Sequence, residues 1–296
     1  MSNLAVDSLP NSLVFRKSPC LLWVIQEVSK ESELDLLADP DFLLSSPACE
    51  VIKDERKIKV GRLAIEIGGK SRSVYVKRYN VFSWRYQVGS LFGRSAALRS
   101  WVGAETLLHA GFHTGQPIAA AECRSWGMLT KSFYLSEEVP GAVTADDYWC
   151  KEMLALAGGN GFRRRRGFLK RLANLFRSLH RVNIYHNDLK DANILVRADR
   201  GGESESFYLL DLEGIRRFRR LSARRKVKNL MQLNRTLGRF VRKIDKHFFL
   251  KCYLESIFHD RKEKRRWIRK VLEESQRRDR RSVLSAAGER GEAHGF

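Results

Sequence analysis

The chain has 296 residues, of which 43% are hydrophobic, and carries a net charge of +21 with a pI near 10.1. This length supplies one large domain or two modest lobes with cores of their own, and the charge indicates polyanionic partners such as nucleic acid, phosphorylated sugars or an anionic membrane face. No run reaches the roughly 18 apolar residues that a membrane-spanning helix needs. The N-terminus lacks the pattern of a signal peptide.

The five cysteines are scattered along the chain, with no C-x-x-C pair and no paired Cys/His ligand spacing. This pattern argues against a disulfide framework and against a structural zinc site. We therefore expect reduced cysteines in a cytosolic protein.

The first half is predicted to be rich in strands. Residues 1–13 show no firm periodicity and are expected to form a loose lead-in. Apolar and polar residues partly alternate over Lys59–Ile67 and alternate again over Ser73–Tyr79, while Gly68-Gly69 between them offers a hairpin turn. The sequence therefore predicts a pair of adjacent strands.

A helix and a hinge follow these strands. The amphipathic stretch from Trp101 to Ala110 predicts a helix that Gly111 closes. Ser132–Leu135 is typical of a further strand, and Pro140-Gly141 punctuates the chain after it. We place the boundary between two lobes here, with an N-terminal lobe over residues 1–139 and a C-terminal lobe over residues 140–281.

The second half is predicted to be mainly helical. Gly167–Arg181 places apolar residues on one helical face, and Asn193–Val196 and Phe207–Leu210 are predicted strands around a Gly201-Gly202 turn. Basic helices are expected beyond Ile215. Residues 282–296 are small and polar and are predicted to form a disordered tail.

The segment Ile184–Val196 contains a motif that predicts the type of reaction. It reads I-Y-H-N-D-L-K-D-A-N-I-L-V and matches H-x-D-L-x-x-x-N, the catalytic loop of protein kinases and their relatives. Asp188 stands where a carboxylate orients the acceptor hydroxyl and accepts its proton. Asn193 stands where a side-chain oxygen reaches the metal that bridges the phosphates. His186 is expected to support the loop, and Lys190 could touch the γ-phosphate.

Three further residues appear in the kinase order along the chain. Lys77 lies in Val74–Lys77, similar to the V-A-I-K strand whose lysine pairs with the α- and β-phosphates, and Glu105 on the next helix is its expected ion-pair partner. Asp211 ends an apolar strand at the D-F-G position and would hold Mg²⁺. Any one of these residues alone would indicate little, but together with the catalytic loop they predict a phosphotransferase.

Two motifs of protein kinases are missing, and their absence restricts the class of molecule that could accept the phosphoryl group. No G-x-G-x-x-G precedes Lys77, and no A-P-E follows Asp211, where the chain continues into Arg216–Arg220. A protein kinase uses the A-P-E region to bind its peptide substrate, so its absence favours an acceptor that is not a protein.

At this point the sequence resembles the lipopolysaccharide kinases of the Kdo/WaaP family. The resemblance covers about Lys59 to Leu237 and is carried by the catalytic loop and by local strings around it. These strings are Val76–Tyr79, Ser95–Trp101, Gly111–Pro117, Ser132–Gly141 and Asn229–Arg235.

The resemblance implies phosphorylation of a heptose or Kdo hydroxyl in a lipopolysaccharide core glycolipid, at the cytoplasmic face of the inner membrane. The basic composition agrees, because Arg163–Arg166 and the stretch from Arg216 to Arg281 could meet phosphate-rich glycolipid and anionic headgroups. Most of these charges taken singly would only solubilise a helix face.

Four alternatives remain from the sequence. An antibiotic or small-metabolite phosphotransferase shares the loop but usually has an acidic acceptor pocket, and an atypical protein kinase is weakened by the missing A-P-E. A nucleic-acid-binding protein fits the charge but leaves the catalytic loop unexplained, so nucleic acid is not an expected partner. A pseudokinase scaffold is disfavoured because the catalytic set is intact.

The sequence thus predicts a two-lobed α+β fold of the protein-kinase type, with a β-rich N-terminal lobe and a mainly helical C-terminal lobe. ATP and Mg²⁺ are the expected cofactors. ATP is expected between the lobes, with its adenine against the hinge around Ser136–Val139, so Glu137 and Val139 are candidate nucleotide-binding residues beside Lys77 and Glu105.

Overall fold

The structure, a computed structural model, describes residues 12–28, 30–81, 89–91, 93–199 and 204–292, with residues 281–292 described by their backbone alone. The chain divides into two units. The first runs to Pro140 and takes in the later segment Asp211–Ile215, and the second comprises Gly141–Leu210 and the chain from Arg216 onward. The division lies one residue from the predicted boundary, but the Asp211 segment belongs to the first unit rather than to the predicted C-terminal lobe.

The first unit is built on strands. Its elements are β1 (Ser12–Lys17), β2 (Cys20–Ile25), α1 (Glu31–Ala38), α2 (Asp41–Ser45), β3 (Glu50–Glu55), β4 (Ile58–Ile67), β5 (Lys70–Asn80), α3 (Ala96–His109), β6 (His113–Thr114), β7 (Pro117–Ser125) and β8 (Met128–Glu137). Seven of the strands form one antiparallel sheet in the order β1-β2-β7-β8-β5-β4-β3. The predicted lead-in is therefore a strand from Ser12, and residues 1–11 lie outside the described part.

The predicted hairpin of the first unit is confirmed. Strand β4 pairs with β5 in a register that sets Ile67 opposite Lys70, and Gly68 and Gly69 both have positive φ, at 61° and 70°. A two-residue turn with two positive φ angles matches the right-handed twist of the strands, and glycine adopts it at least cost. The register also sets Val60 opposite Lys77.

Helix α3 begins earlier than predicted. The Ser95 side chain accepts a hydrogen bond of 3.0 Å from the amide of Leu98, and this N-cap starts the helix at Ala96. The helix ends as expected, with Gly111 at a φ of +78°. Trp101 and Leu107 are buried, so the helix packs an apolar face against strands β7 and β8.

The second unit is mainly helical. Its elements are β9 (Val143–Thr144), α4 (Ala145–Tyr148), α5 (Gly158–Arg181), β10 (Ile184–His186), β11 (Ile194–Ala198), β12 (Glu205–Leu209), β13 (Ile215–Arg217, which begins in the first unit), α6 (Ala223–Arg235), α7 (Lys243–Leu254) and α8 (Arg261–Glu292). Strand β11 pairs antiparallel with both β12 and β9. Together the two units confirm the predicted α+β class.

Helix α5 carries the core of this unit. Phe168, Leu172 and Phe176 are fully buried along the predicted face. The strands predicted on either side of the Gly201-Gly202 turn are confirmed as β11 and β12, whereas the turn itself lies outside the described residues. Helix α8 continues to Glu292, so the backbone is helical where a disordered tail from Ser282 was predicted.

The expectation of reduced cysteines is wrong for one pair. Cys20 on β2 and Cys123 on β7 face each other across the sheet and form a disulfide. Their sequence separation is 103 residues, so only the strand order brings them together, and no local spacing could reveal it. Cys49, Cys150 and Cys252 are free.

Candidate active site

The catalytic loop of the second unit connects β10 to β11 and gathers three of the predicted residues. Asn193 Nδ2 donates to the Asp188 carbonyl oxygen at 2.8 Å and lies 3.2 Å from Asp188 Oδ2. Lys190 Nζ lies 2.9 Å from the same Oδ2. The Asp188 side chain is 42% exposed, so its carboxylate is held at the surface.

His186 holds this loop through hydrogen bonds at both of its ring nitrogens. Its Nδ1 accepts a hydrogen bond of 3.1 Å from the Asp188 amide, and its Nε2 lies 2.7 Å from the Leu210 carbonyl oxygen. Because an imidazole nitrogen that accepts carries no proton, this network assigns the proton to Nε2. A buried ring used at both nitrogens is a structural support, the role the sequence suggests.

Two residues that the sequence did not single out as functional hold the loop from helix α6. Gln232 Nε2 donates to the Asn187 carbonyl oxygen at 2.7 Å and lies 3.3 Å from Asp188 Oδ1, while its Oε1 accepts from the Leu189 amide at 3.2 Å. Asn229 Nδ2 donates to Gln232 Oε1 at 3.0 Å. One glutamine thus contacts three consecutive loop residues.

The network continues into the core of the second unit. Asn229 Nδ2 also donates to the His186 carbonyl oxygen at 2.6 Å, and its Oδ1 lies 3.1 Å from His180 Nε2. His180 Nδ1 lies 2.8 Å from the Tyr253 hydroxyl. Burial lowers the pKa of His180 to about 4, so the ring is neutral at pH 7 and can accept from Tyr253 while donating to Asn229. A polar pair three residues apart on an otherwise apolar helix face was the available sequence signal.

The first unit brings Lys77 and Asp211 together. Lys77 Nζ lies 2.7 Å from Asp211 Oδ1. Burial alone would lower the pKa of Lys77, but the oxygens of Tyr79, Asp211 and Glu213 outweigh that effect and raise it. Lys77 is therefore a permanent cation paired with the predicted metal-binding carboxylate.

The backbone at Asp211 is unusual. Its φ and ψ are 56° and 57°, in the left-handed region that a non-glycine residue adopts at a cost. The following turn, Leu212–Gly214, packs on helix α3, and a Cβ placed on Gly103 would lie 2.3 Å from the Leu212 carbonyl oxygen. Only glycine at position 103 permits this approach. Gly103 therefore helps to fix the position of the backbone directly after Asp211.

The predicted Lys77–Glu105 ion pair is not formed within the described residues. Glu105 is buried on α3, where desolvation raises its pKa and His109 partly opposes the rise. Its Oε2 has no hydrogen-bond partner within the described part of the chain. Lys77 pairs with Asp211 instead.

Glu137 and Glu138, at the predicted hinge, form ion pairs and hydrogen bonds of their own. The Glu137 carboxylate accepts a hydrogen bond from the Arg72 guanidinium. The backbone amide of Glu137 donates to the Gln116 carbonyl oxygen at 2.8 Å. Glu138 accepts from Ser73 Oγ at 2.6 Å and from Arg62 Nε at 3.2 Å. The end of β8 is thereby fixed by ion pairs, and the adenine contacts of Glu137 and Val139 stay predictions.

The donor types suit a magnesium ion. Asn193 uses Nδ2 within the loop, which leaves Oδ1 as a possible ligand, and the Asp211 carboxylate is a hard oxygen donor of the kind Mg²⁺ prefers. No group of three His, Cys, Asp or Glu side chains in metal-binding proximity occurs among the residues described. Over the same residues, no helix has the length and apolarity to span a bilayer.

The chain is similar to known proteins in its sequence family and in its fold. The model of the lipopolysaccharide kinase (Kdo/WaaP) family matches residues 55–253. The solved structure of WaaP in complex with acyl carrier protein aligns with a TM-score of 0.59 and 20% identity, covering 83% of this chain and 98% of that chain. A double mutant of the PknI kinase domain from Mycobacterium tuberculosis aligns with a TM-score of 0.37 and 11% identity over 64% of this chain and 71% of that chain, too low to carry an argument. No curated protein matches the sequence.

Proposed function

Because this chain belongs to the lipopolysaccharide kinase (Kdo/WaaP) family, as its motifs suggested, we propose that it transfers the γ-phosphoryl group of ATP to a hydroxyl of a heptose or Kdo in the lipopolysaccharide core. The observation that carries the proposal is the loop in which Asp188, Lys190 and Asn193 meet. Kinase activity follows from the family, whereas the acceptor sugar is the proposed part.

The second unit supplies the residues for the acceptor. Asp188 Oδ1 or Oδ2 accepts a hydrogen bond from the sugar hydroxyl and takes its proton as the oxygen attacks the γ-phosphorus. The new bond joins the sugar oxygen to phosphorus, the bond from phosphorus to the β–γ bridging oxygen breaks, and ADP leaves with the electron pair. Lys190, already at the Asp188 carboxylate, offers a cation to the transferring group.

The first unit supplies residues for the nucleotide. Lys77 binds the α- and β-phosphates, and Asp211 with Asn193 would hold Mg²⁺. A bound Mg²⁺ neutralises charge that develops on the phosphate oxygens. Glu105 supports Lys77 once the lysine leaves Asp211, a role that suits the unpartnered Oε2 of that buried carboxylate. The end of β8 at Glu137 and Val139 receives the adenine.

A thermal-shift titration with Mg-ATP tests the nucleotide site. A ligand at 100 times its Kd stabilises a protein by about 2.7 kcal/mol, so the wild-type chain should melt at a higher temperature in Mg-ATP. Asp211→Ala should lose this shift while keeping its ligand-free melting temperature within a few degrees. An equal shift in both proteins would contradict the assignment of Asp211.

Mass spectrometry of core glycolipid, from cells with and without the gene, tests the acceptor. We expect one phosphate to be missing when the gene is absent and to return when the wild-type gene is restored. The Asp188→Ala gene should not restore it. An unchanged core would contradict the lipopolysaccharide assignment.

We also propose an acyl carrier protein as a partner, because the solved WaaP structure contains one. The second unit has a cavity of about 400 Å³ between helices α5, α6, α7 and α8, within the usual range for ligand sites. Its walls are mostly leucine, valine, isoleucine and phenylalanine, with Lys243 and Lys246 among them. An apolar acyl chain would fit such walls.

Binding of acylated and unacylated carrier protein, measured by calorimetry, tests this partner. Leu272 lines the cavity and is 49% exposed, and Leu154, equally exposed, does not line it. We expect Leu272→Glu to weaken binding of the acylated form and Leu154→Glu to leave it unchanged. Equal binding by both variants would contradict the use of this cavity.

Peripheral contact with an anionic membrane is the last part of the proposal. The supporting observation is the +21 charge, much of it on helices α5 to α8. The protein should co-sediment at low salt with vesicles that have anionic headgroups, and it should not co-sediment with neutral vesicles. Equal sedimentation with both would contradict an electrostatic contact with the inner leaflet.

A further inference from the structure

The charged residues between Ile215 and Ile244 are all positive, and none of them has a role in the proposed phosphoryl transfer. It contains twelve lysines and arginines and no aspartate or glutamate. Eight of these cations lie between Arg216 and Lys228, and none of the eight forms an ion pair within the described parts of the chain. Unpaired cations at this density attract anions strongly.

Two of these eight cations are half-buried and held in place by neutral groups. The Arg225 guanidinium lies 3.9 Å from the Phe218 ring centroid and 6.0 Å from that of Tyr185. Lys228 Nζ lies 3.0 Å from Asn187 Oδ1 and 5.7 Å from the Tyr185 ring centroid. Aromatic faces and an amide oxygen orient the two side chains without neutralising their charge, so each remains able to bind an anion.

Arg225 and Lys228 lie close to the proposed catalytic residue Asp188. Arg225 and Lys228 are three residues apart and therefore share one face of helix α6, the helix that also carries Gln232. Lys228 contacts the residue directly before Asp188. An anion bound by this pair would lie beside the carboxylate that receives the acceptor hydroxyl.

On the basis of the function proposed above, we propose that Arg225 and Lys228 form an anion subsite that binds a phosphate or carboxylate group of the acceptor. Arginine binds either group in a bidentate manner, and lysine adds a point charge. Because the side chains are already positioned by Phe218, Tyr185 and Asn187, little rotamer entropy is lost on binding. The subsite selects anionic sugars and orients them on Asp188.

Steady-state kinetics with a soluble, deacylated core oligosaccharide tests the subsite. A hydrogen bond to a charged group contributes about 1.5–3 kcal/mol, or roughly 10- to 100-fold in binding. Arg225→Ala and Lys228→Met should each raise KM for the oligosaccharide by about that factor and leave KM for ATP within about twofold. Lys228→Arg should restore most of the affinity. Arg219→Ala, an exposed cation of the same segment, is the matched control and should change neither constant.

The source of the anion is identified by modifying the acceptor. If the subsite binds a phosphate, phosphatase treatment of the oligosaccharide should remove the difference between wild type and Lys228→Met. If it binds a carboxylate, methyl esterification should do so instead.

The outcomes separate the two proposals. Variants with unchanged oligosaccharide KM, or with a raised KM for ATP alone, would overturn the subsite while leaving the proposed function intact. No turnover of any core oligosaccharide by the wild-type chain, with Mg-ATP still bound, would overturn the proposed function and this subsite with it.

Discussion

Gly103 lies directly against the backbone that follows Asp211, the residue proposed to bind metal. In Gly103→Ala the added Cβ would lie 2.3 Å from the Leu212 carbonyl oxygen, where contacts below 3.0 Å are essentially never seen. The Leu212 backbone must therefore move by at least about 0.7 Å, and Asp211 is the residue next to it. The neighbour that must move is backbone, so no side-chain rotation can relieve the contact.

The expected cost has two parts. Overpacking in a core costs about 1–3 kcal/mol, and replacing a helical glycine with alanine returns about 0.5–1 kcal/mol. Stability should thus fall only modestly. The functional effect should be larger, because a displacement near 1 Å at a catalytic group can cost about 10²-fold.

The assay is Mg-ATP affinity by thermal shift together with phosphoryl transfer, on Gly103→Ala and on Gly159→Ala as control. Gly159 is also helical, but a Cβ there meets nothing within 4 Å. We expect Gly103→Ala to bind Mg-ATP at least tenfold more weakly and the control to match wild type. A stable Gly103→Ala protein with wild-type Mg-ATP affinity and activity would refute the reasoning.

Two further predictions concern the network behind the catalytic loop. Gln232→Leu should lower kcat by about 10- to 100-fold with little change in KM for ATP, because hydrogen bonds to a charged group contribute about 1.5–3 kcal/mol, whereas exposed Gln276→Leu should have no effect in the same kinetic assay. An unchanged kcat would show that the loop holds Asp188 without Gln232. The pKa of His180 is about 4 when folded and 6.5 as a free side chain, so the unfolded chain binds a proton between these values and the folded chain does not. Stability should therefore fall by about 3 kcal/mol as pH drops from 6.5 to 4. His180→Gln should lose this part of the pH dependence in urea unfolding, and equal slopes for both proteins would contradict a buried neutral ring.

The sequence predicted the features that local pattern determines. The β4–β5 hairpin followed from alternation and two glycines, and the catalytic loop followed from residues that lie within one short segment. Asp188, Lys190 and Asn193 meet because the segment between β10 and β11 is short.

The features that the sequence did not predict depend on distant parts of the chain. Strand β7 contains Ala119, Ala120 and Ala121, a composition that favours helix, and only its place in the sheet makes it a strand. The Cys20–Cys123 disulfide and the inclusion of Asp211 in the first unit likewise follow from tertiary packing. Gln232 was part of a family-like string, but its contact with the loop required the placement of helix α6.

The most direct test of the central claim is phosphoryl transfer from labelled ATP to purified lipopolysaccharide core by the wild-type chain and by Asp188→Asn. The substitution keeps the size of the side chain and removes the base, so we expect a folded protein that binds Mg-ATP with wild-type affinity. Its transfer rate should fall by about 10²- to 10⁴-fold, the usual contribution of a general base. Transfer by Asp188→Asn at the wild-type rate would contradict the account.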